Sequence, residues 1–384
     1  MATPRIDSKL PAVGTTIFAV MSQKAADHGA FNLSQGFPDF HPPERLQALL
    51  TEAMQEGLNQ YAPLHGLPML REAIAEKVAR LYGREVDVNE EITVTSGATE
   101  ALFDAVQAVV HPGDEVIVLD PAYDAYEPAV ELAGGRTVHV PLTSPDFHID
   151  WDRLATALTP KTRLLILNTP HNPAGAVLGH DELDRLAALL RDTDTLVLSD
   201  EVYEHIVFDG AHRSVLGHPD LAERAFAVSS FGKTYHCTGW KIGYCIAPAG
   251  LTREFRKVHQ YVTFATMAPA QAAFSRYMRE NPAHTVELPE FYRAKRDRLA
   301  EWLDRSRFTY TPAPGTYFQL IDYRAIADVP DTEFCDRLIR EAGVAAVPIS
   351  VFYETPPTDQ RLVRLCFAKE DATLDAAGER LAKL

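Results

Sequence analysis

Seven short runs rich in β-branched residues recur between residues 91 and 248, and most are separated by segments of helical period. That alternation restricts the possible folds more than any other feature. The runs are EITVTSG (91–97), EVIVLDPA (115–122), RTVHVPL (136–142), RLLILNTP (163–170), TLVLSDEVY (195–203), RAFAVSSFG (224–232) and IGYCIAP (242–248). Several are apolar at every position, as strands of a sheet covered on both faces must be. Segments such as ATEALFDAVQAVV and DELDRLAALLRDT place apolar residues three and four apart and supply the cover. The pattern predicts an α/β protein whose large domain holds a seven-stranded, mainly parallel sheet between helices. The step from FGK to GWKIGYCIAP is too short for a crossover helix, so one strand is expected to run antiparallel. After about residue 285 come a charged helix, FYRAKRDRLAEWLDRS, and then TPAPGTYFQLIDY, DTEFCDRLIREAG, VAAVPIS and RLVRLCFAK, the pattern of a smaller α+β domain. The expected division is an N-terminal arm with part of the small domain (1–45), a large domain (46–285) and a small domain (286–384).

Ligands of open α/β sheets bind beyond the carboxyl ends of the strands. Those ends carry Ser96 to Thr99, Tyr123, Asn168 to Asn172, Asp200 to Tyr203, and Ser230 to Lys233. Gly232-Lys233-Thr234 imitates the end of a phosphate-binding P-loop, but Ala227 stands where G-x-x-x-x-G-K-S/T needs its first glycine. G-x-G-x-x-G, G-x-S-x-G and H-E-x-x-H are all absent, which removes the dinucleotide, hydrolase and zinc-protease fingerprints. The 53 acidic against 37 basic residues, a net charge of -16, disfavour nucleic acid or an anionic membrane as partner. Cys237, Cys245, Cys335 and Cys366 lack metal-ligand spacing and read as reduced structural thiols. MATPRIDSKLPAVGTTIFAV shows no leader pattern, so a cytoplasmic location is expected.

The remaining chemistry is that of a covalent lysine. A lysine that bonds an aldehyde cofactor needs a carboxylate for the ring nitrogen and an anion site for a phosphate. Asp200, at the end of an apolar strand, could hold a pyridinium; read alone, it fits a loop-capping aspartate as well. Tyr203 could donate to the ring oxygen or simply fill the core. Gly97, Ala98 and Thr99 open a helix, where free N–H groups attract phosphate. Asn172, between Pro170 and Pro173, is either a turn asparagine or a ligand contact.

NLSQGFPDF, NQYAPLHGLPMLREAI, TSGATEAL, DPAYDAYEPA, NTPHNPAG, SDEVYEH, SSFGKTYHCTGWKIGYC, HQYVTF and RLCFAK, in that order, resemble the class I, fold type I aminotransferases that use pyridoxal 5'-phosphate. The likeness spans nearly the whole chain and is greatest to the bacterial methionine and the kynurenine and glutamine transaminases. It implies that Lys233 is the Schiff-base lysine and that Asp200 partners the ring nitrogen. Asn172 and Tyr203 would hold the ring oxygen, and Tyr123 would stack on the ring. The phosphate would meet Ala98, Thr99, Ser230, Lys241 and, from a second subunit, Tyr61. Arg364 would clamp a substrate carboxylate, assisted by Asn172 and the backbone of Gly36. Many relatives carry arginine where this chain has Lys241, which exchanges a planar fork for a point charge.

The resemblance further implies ping-pong transfer between amino acids and 2-oxo acids in a homodimer with shared sites. Phe18, Phe37, Tyr61, Tyr123 and Phe264 suggest a pocket for methionine, aromatic or glutamine-like side chains, though packing explains Phe18 and Phe264 equally well. A C–S β-lyase on the same scaffold and a non-catalytic cofactor-binding regulatory module are the other readings.

Overall fold

All seven runs are strands in the computed structural model, which describes residues 6–384; residues 1–5 of the expected arm lie outside the described residues. Ile92–Thr95 (β1), Glu115–Asp120 (β2), Arg136–Pro141 (β3), Thr162–Asn168 (β4), Leu196–Asp200 (β5), Ala225–Ser230 (β6) and Gly243–Ile246 (β7) form one sheet in the order β1-β7-β6-β5-β4-β2-β3. The antiparallel strand is β7, which opposes both β1 and β6, while the other neighbours are parallel.

Alternate residues of these strands enter two separate cores. Leu165, Leu167, Val197, Ala225, Ala227, Tyr244 and Ile246 face one core. Leu164, Ile166, Leu198, Phe226, Val228 and Cys245 face the other. Helices Pro68–Tyr82, His180–Leu190 and Ala268–Glu280 cover the first, and Gly97–Val109 and Tyr126–Ala133 the second. Burying one such aliphatic side chain stabilises by roughly 1.5–3 kcal/mol, and a one-residue slip would turn every one of them to the wrong core. The register is therefore firm. It sets Asn168 opposite Asp200, Asp200 opposite Val228, and Ser230 opposite Gly243. Polar residues remote in sequence thus meet at one edge of the sheet.

A third core gathers residues from both ends of the chain. Met21, Ala25 and Leu33 pack with Tyr292, Tyr317, Phe318, Val363 and Leu365. Its sheet runs antiparallel in the order Val347–Pro348, Leu362–Cys366, Phe318–Asp322. Two details differ from expectation. VAAVPIS is split: Val344–Ala345 pairs with Phe31–Asn32, while Val347–Pro348 pairs with Leu362–Cys366. The charged helix also begins earlier, at His284, and its buried Leu288, Tyr292, Leu299 and Leu303 belong to this third core. All four cysteines are free and buried. No helix among the described residues is long and apolar enough to cross a membrane.

Candidate active site

A cavity of ≈ 270 Å³ opens beyond the carboxyl ends of β4, β5 and β6. It is lined by Phe18, Gly36, Phe37, Ala98, Thr99, Tyr123, Asn172, Asp200, Tyr203, Ser230, Lys233, Lys241 and Arg364. Of the residues the sequence nominates, only Tyr61 and Phe264 stand outside the cavity of their own chain. Their rings pack edge to face at 5.4 Å, and Tyr61 is 84% exposed.

The floor comes from the large sheet. Asp200 is buried, and the Tyr126 hydroxyl donates to its Oδ2 at 2.8 Å. Burial outweighs that hydrogen bond and pushes the carboxyl up to about 6. Such a group favours a cationic N–H partner. Lys233 lies in the single helical turn Phe231–Thr234 that follows β6, and its Nζ donates to the Gly36 carbonyl at 3.3 Å. Burial brings this amine down to about 8, against the pull of Asp200. A larger share of it is therefore unprotonated near neutrality than of an ordinary lysine.

One end of the cavity is shaped for an oxyanion. Helix Gly97–Val109 begins with no side-chain cap, so the N–H groups of its first turn face the cavity without a capping acceptor. Gly97 has φ +75°, and a Cβ there would stand 3.2 and 3.3 Å from Cε and Nζ of Lys241. Lys241 itself is held at φ 53°, a left-handed conformation that costs a lysine about 1–2 kcal/mol. The ammonium is thereby aimed at the helix end.

The opposite wall comes from the small sheet and the N-terminal segment. Arg364 is completely buried. Its Nη1 donates to Asn172 Oδ1 at 2.6 Å and its Nη2 to the Ser34 carbonyl at 3.0 Å. Nε is buried without a partner. The guanidinium lies 3.8 Å from the centre of the Phe318 ring and 5.2 Å from that of Phe18. Because Asn172 Oδ1 is engaged by arginine, its amide nitrogen is left to donate toward the cavity.

The sequence reading missed several supports. Asn168 Nδ2 donates to the Asp200 carbonyl at 2.9 Å, and Asn168 Oδ1 accepts from the Asn172 N–H at 2.7 Å. Tyr126 fixes Asp200, Tyr317 donates to the Gly36 carbonyl at 2.6 Å, and Phe318 floors the arginine. The i, i+3 spacing of Tyr123 and Tyr126 could have flagged Tyr126. Nothing local flags Phe318, which meets Arg364 only through strand register: Arg364 pairs with Leu320, two residues along the same face.

Buried anionic Asp200, a lowered lysine, an open helix end with an ammonium, and a separate arginine clamp form a donor set that suits a phosphorylated pyridine aldehyde. Comparison with known proteins gives the same class. The family model for aminotransferase class I and II matches residues 29–381, and the chain belongs to that family. It is a fold type I transaminase dependent on pyridoxal 5'-phosphate. It is 53% identical over 378 residues to methionine aminotransferase of Escherichia coli, covering 98% of each chain. A solved Escherichia coli structure identified with methionine aminotransferase function superposes with a TM-score of 0.98 at 52% identity over all of both chains. A probable N-succinyldiaminopimelate aminotransferase of Mycobacterium tuberculosis is 43% identical, covering 98% of each. Human kynurenine–oxoglutarate transaminase 1 is 35% identical over 94% of this chain and 93% of its own. These kinships support transamination over the C–S lyase and the regulatory reading.

Proposed function

We propose that the chain moves the amino group of methionine and other amino acids with apolar, aromatic or glutamine-like side chains to a 2-oxo acid. The observation that carries this reading is Arg364, a buried cation between the rings of Phe318 and Phe18, opening into the same cavity as Lys233. A planar fork suits the carboxylate common to every amino acid, and the aromatic walls suit an uncharged side chain. The identity to the methionine enzyme supports the same choice.

When bound, pyridoxal 5'-phosphate supplies an electron sink that acidifies the α-proton of an amino acid. Lys233 would hold it covalently, and Asp200 would keep a proton on its ring nitrogen. Tyr203 and the Asn172 amide nitrogen would donate to its ring oxygen, with the Tyr123 ring stacked above. Ala98, Thr99, Ser230 and Lys241 would hold its phosphate. Arg364 and the Gly36 backbone orient the substrate carboxylate, Phe18 and Phe37 shield its side chain from water, and Lys233 Nζ carries the α-proton.

Tyr61 packs on Phe264, and Tyr261, Val262 and Met267, close to Phe264 in the sequence, are exposed apolar residues like them. We take this group as the face of a homodimer, with Tyr61 lent to the second copy's phosphate site and Phe264 to its substrate pocket. We also retain the division into 1–45, 46–285 and 286–384, and a cytoplasmic location. The deciding experiment is a panel of amino donors and 2-oxo acids assayed with the holoenzyme. Parallel-line, ping-pong kinetics with methionine well ahead of aspartate are expected; faster turnover of aspartate would overturn the substrate class.

A further inference from the structure

On the helix that opens the phosphate end of the cavity, Glu100 and Asp104 form a buried cluster with His259, and none of the three lines the cavity. His259 Nδ1 stands 2.6 Å from Glu100 Oε1 and 3.6 Å from Asp104 Oδ2. Two ligands of one tetrahedral metal ion, each bonded at about 2.1 Å, would lie roughly 3.4 Å apart. The 2.6 Å separation is that of a hydrogen bond. The histidine's other nitrogen, Nε2, lies 2.8 Å from the Leu64 carbonyl, which can only accept. Both ring nitrogens therefore donate, and the ring is an imidazolium paired with the Glu100 carboxylate.

This pair joins three segments that are remote in the sequence. Glu100 Oε2 accepts the Ser96 N–H at the start of the helix whose first turn faces the phosphate end. The Leu64 carbonyl belongs to the loop that bears Tyr61, three residues earlier. The His259 carbonyl accepts the N–H of Thr263 at 3.1 Å and of Phe264 at 2.9 Å, which turns the chain out of helix Ala249–Val262 into the exposed apolar group. Phe264 then holds Tyr61 edge to face. The ion pair thus holds the Tyr61 loop at Leu64 through the His259 ring, and the His259 backbone starts the turn that brings Phe264 onto Tyr61.

We propose that Glu100 and His259 are positioning residues: their pair fixes the loop bearing Tyr61 against the phosphate end of its own subunit and so sets how Tyr61 is presented to the second copy. The proposal rests on the shared-site homodimer described above. It states that loosening the pair in one subunit weakens cofactor binding in the other.

Hybrid dimers test it. One subunit carries Lys233→Ala together with His259→Asn, and its partner is unaltered. Borohydride then fixes cofactor only on the unaltered subunit's Lys233, whose site receives Tyr61 from the altered one. Covalently fixed cofactor is measured against added pyridoxal 5'-phosphate. Relative to a Lys233→Ala hybrid, the half-saturating concentration should rise roughly tenfold. An unchanged value overturns the proposal. A Lys233→Ala, Tyr61→Phe hybrid serves as a separate arm: no change there refutes the shared site itself, whatever His259 does. Glu100→Gln in the same arrangement replaces His259→Asn should the latter not fold, with the same two outcomes.

Discussion

The two walls of the cavity are built in different ways. The floor that meets Asp200, Lys233 and Asn168 comes from adjacent strand ends of one sheet, where register alone brings the groups together. The wall that holds Arg364 lies on the small sheet and draws in the other end of the chain: the Ser34 carbonyl, 330 positions away, and the Phe18 ring meet the guanidinium together with Phe318 of the neighbouring strand. The floor is polar and its ionisable groups are shifted toward one another, an aspartate up and a lysine down. The wall is a single cation in an aromatic cage. On the proposed function, chemistry would fall to the large sheet and substrate choice to the element that packs against it. Asn172 is the hinge between them, bonded on one side to Asn168 and on the other to Arg364.

The largest effect that would sharpen this contrast is at Lys233. Lys233→Ala should lower turnover by at least ~10⁴-fold, because both the covalent hold and the proton carrier are lost. Single-turnover spectroscopy of the cofactor band separates the two losses, and near-normal transamination would remove Lys233 from its role. On the wall, Arg364→Lys should lower kcat/KM for amino acids by about 10²-fold while leaving cofactor retention intact, since a lysine cannot reproduce the bidentate fork. Dialysis followed by measurement of bound cofactor checks this. Release of cofactor by that variant would mean that floor and wall are one unit after all.

The smallest effect concerns the buried pair behind the floor. The hydrogen bond that His259 donates to Glu100, with the charge of Asp104 close by, outweighs burial and raises the ring to about 9, while the nearby His65 is lowered by burial and by positive neighbours. A histidine raised in the folded state stabilises fully below its unfolded value near pH 6.5 and loses that contribution as pH climbs through 9. The stability gap between the natural protein and His259→Asn, measured by denaturant melts, should therefore shrink between those values, by on the order of 2 kcal/mol. A gap that stays constant would show that the ring is neutral.

Much of the site was legible before any coordinates. Strand ends in a two-sided α/β sheet must converge, so Asp200, Asn172, Ser230 and Lys233 could be named from apolar runs and the polar residues that close them. The motif order supplied Lys241 and Arg364. Tyr126 was passed over, and Asn168 was placed at a strand end without a role, because their contribution is a hydrogen bond to another side chain or backbone, which leaves no trace in periodicity. VAAVPIS read as one strand because its composition is uniform, yet Val344–Ala345 and Val347–Pro348 serve different sheets.

The sequence by itself determined the doubly covered sheet and its one antiparallel strand, because burial imposes a period and a crossover needs length, while the lysine chemistry rested on the resemblance of its ordered motifs to a family. Only the tertiary structure decided that Gly97 and Lys241 share one pocket end, that Asn172 turns its nitrogen inward, that Phe318 underlies Arg364, and that His259 grips Glu100 from 159 residues away. These are distances across separate elements, set by how the cores close. No local pattern encodes them.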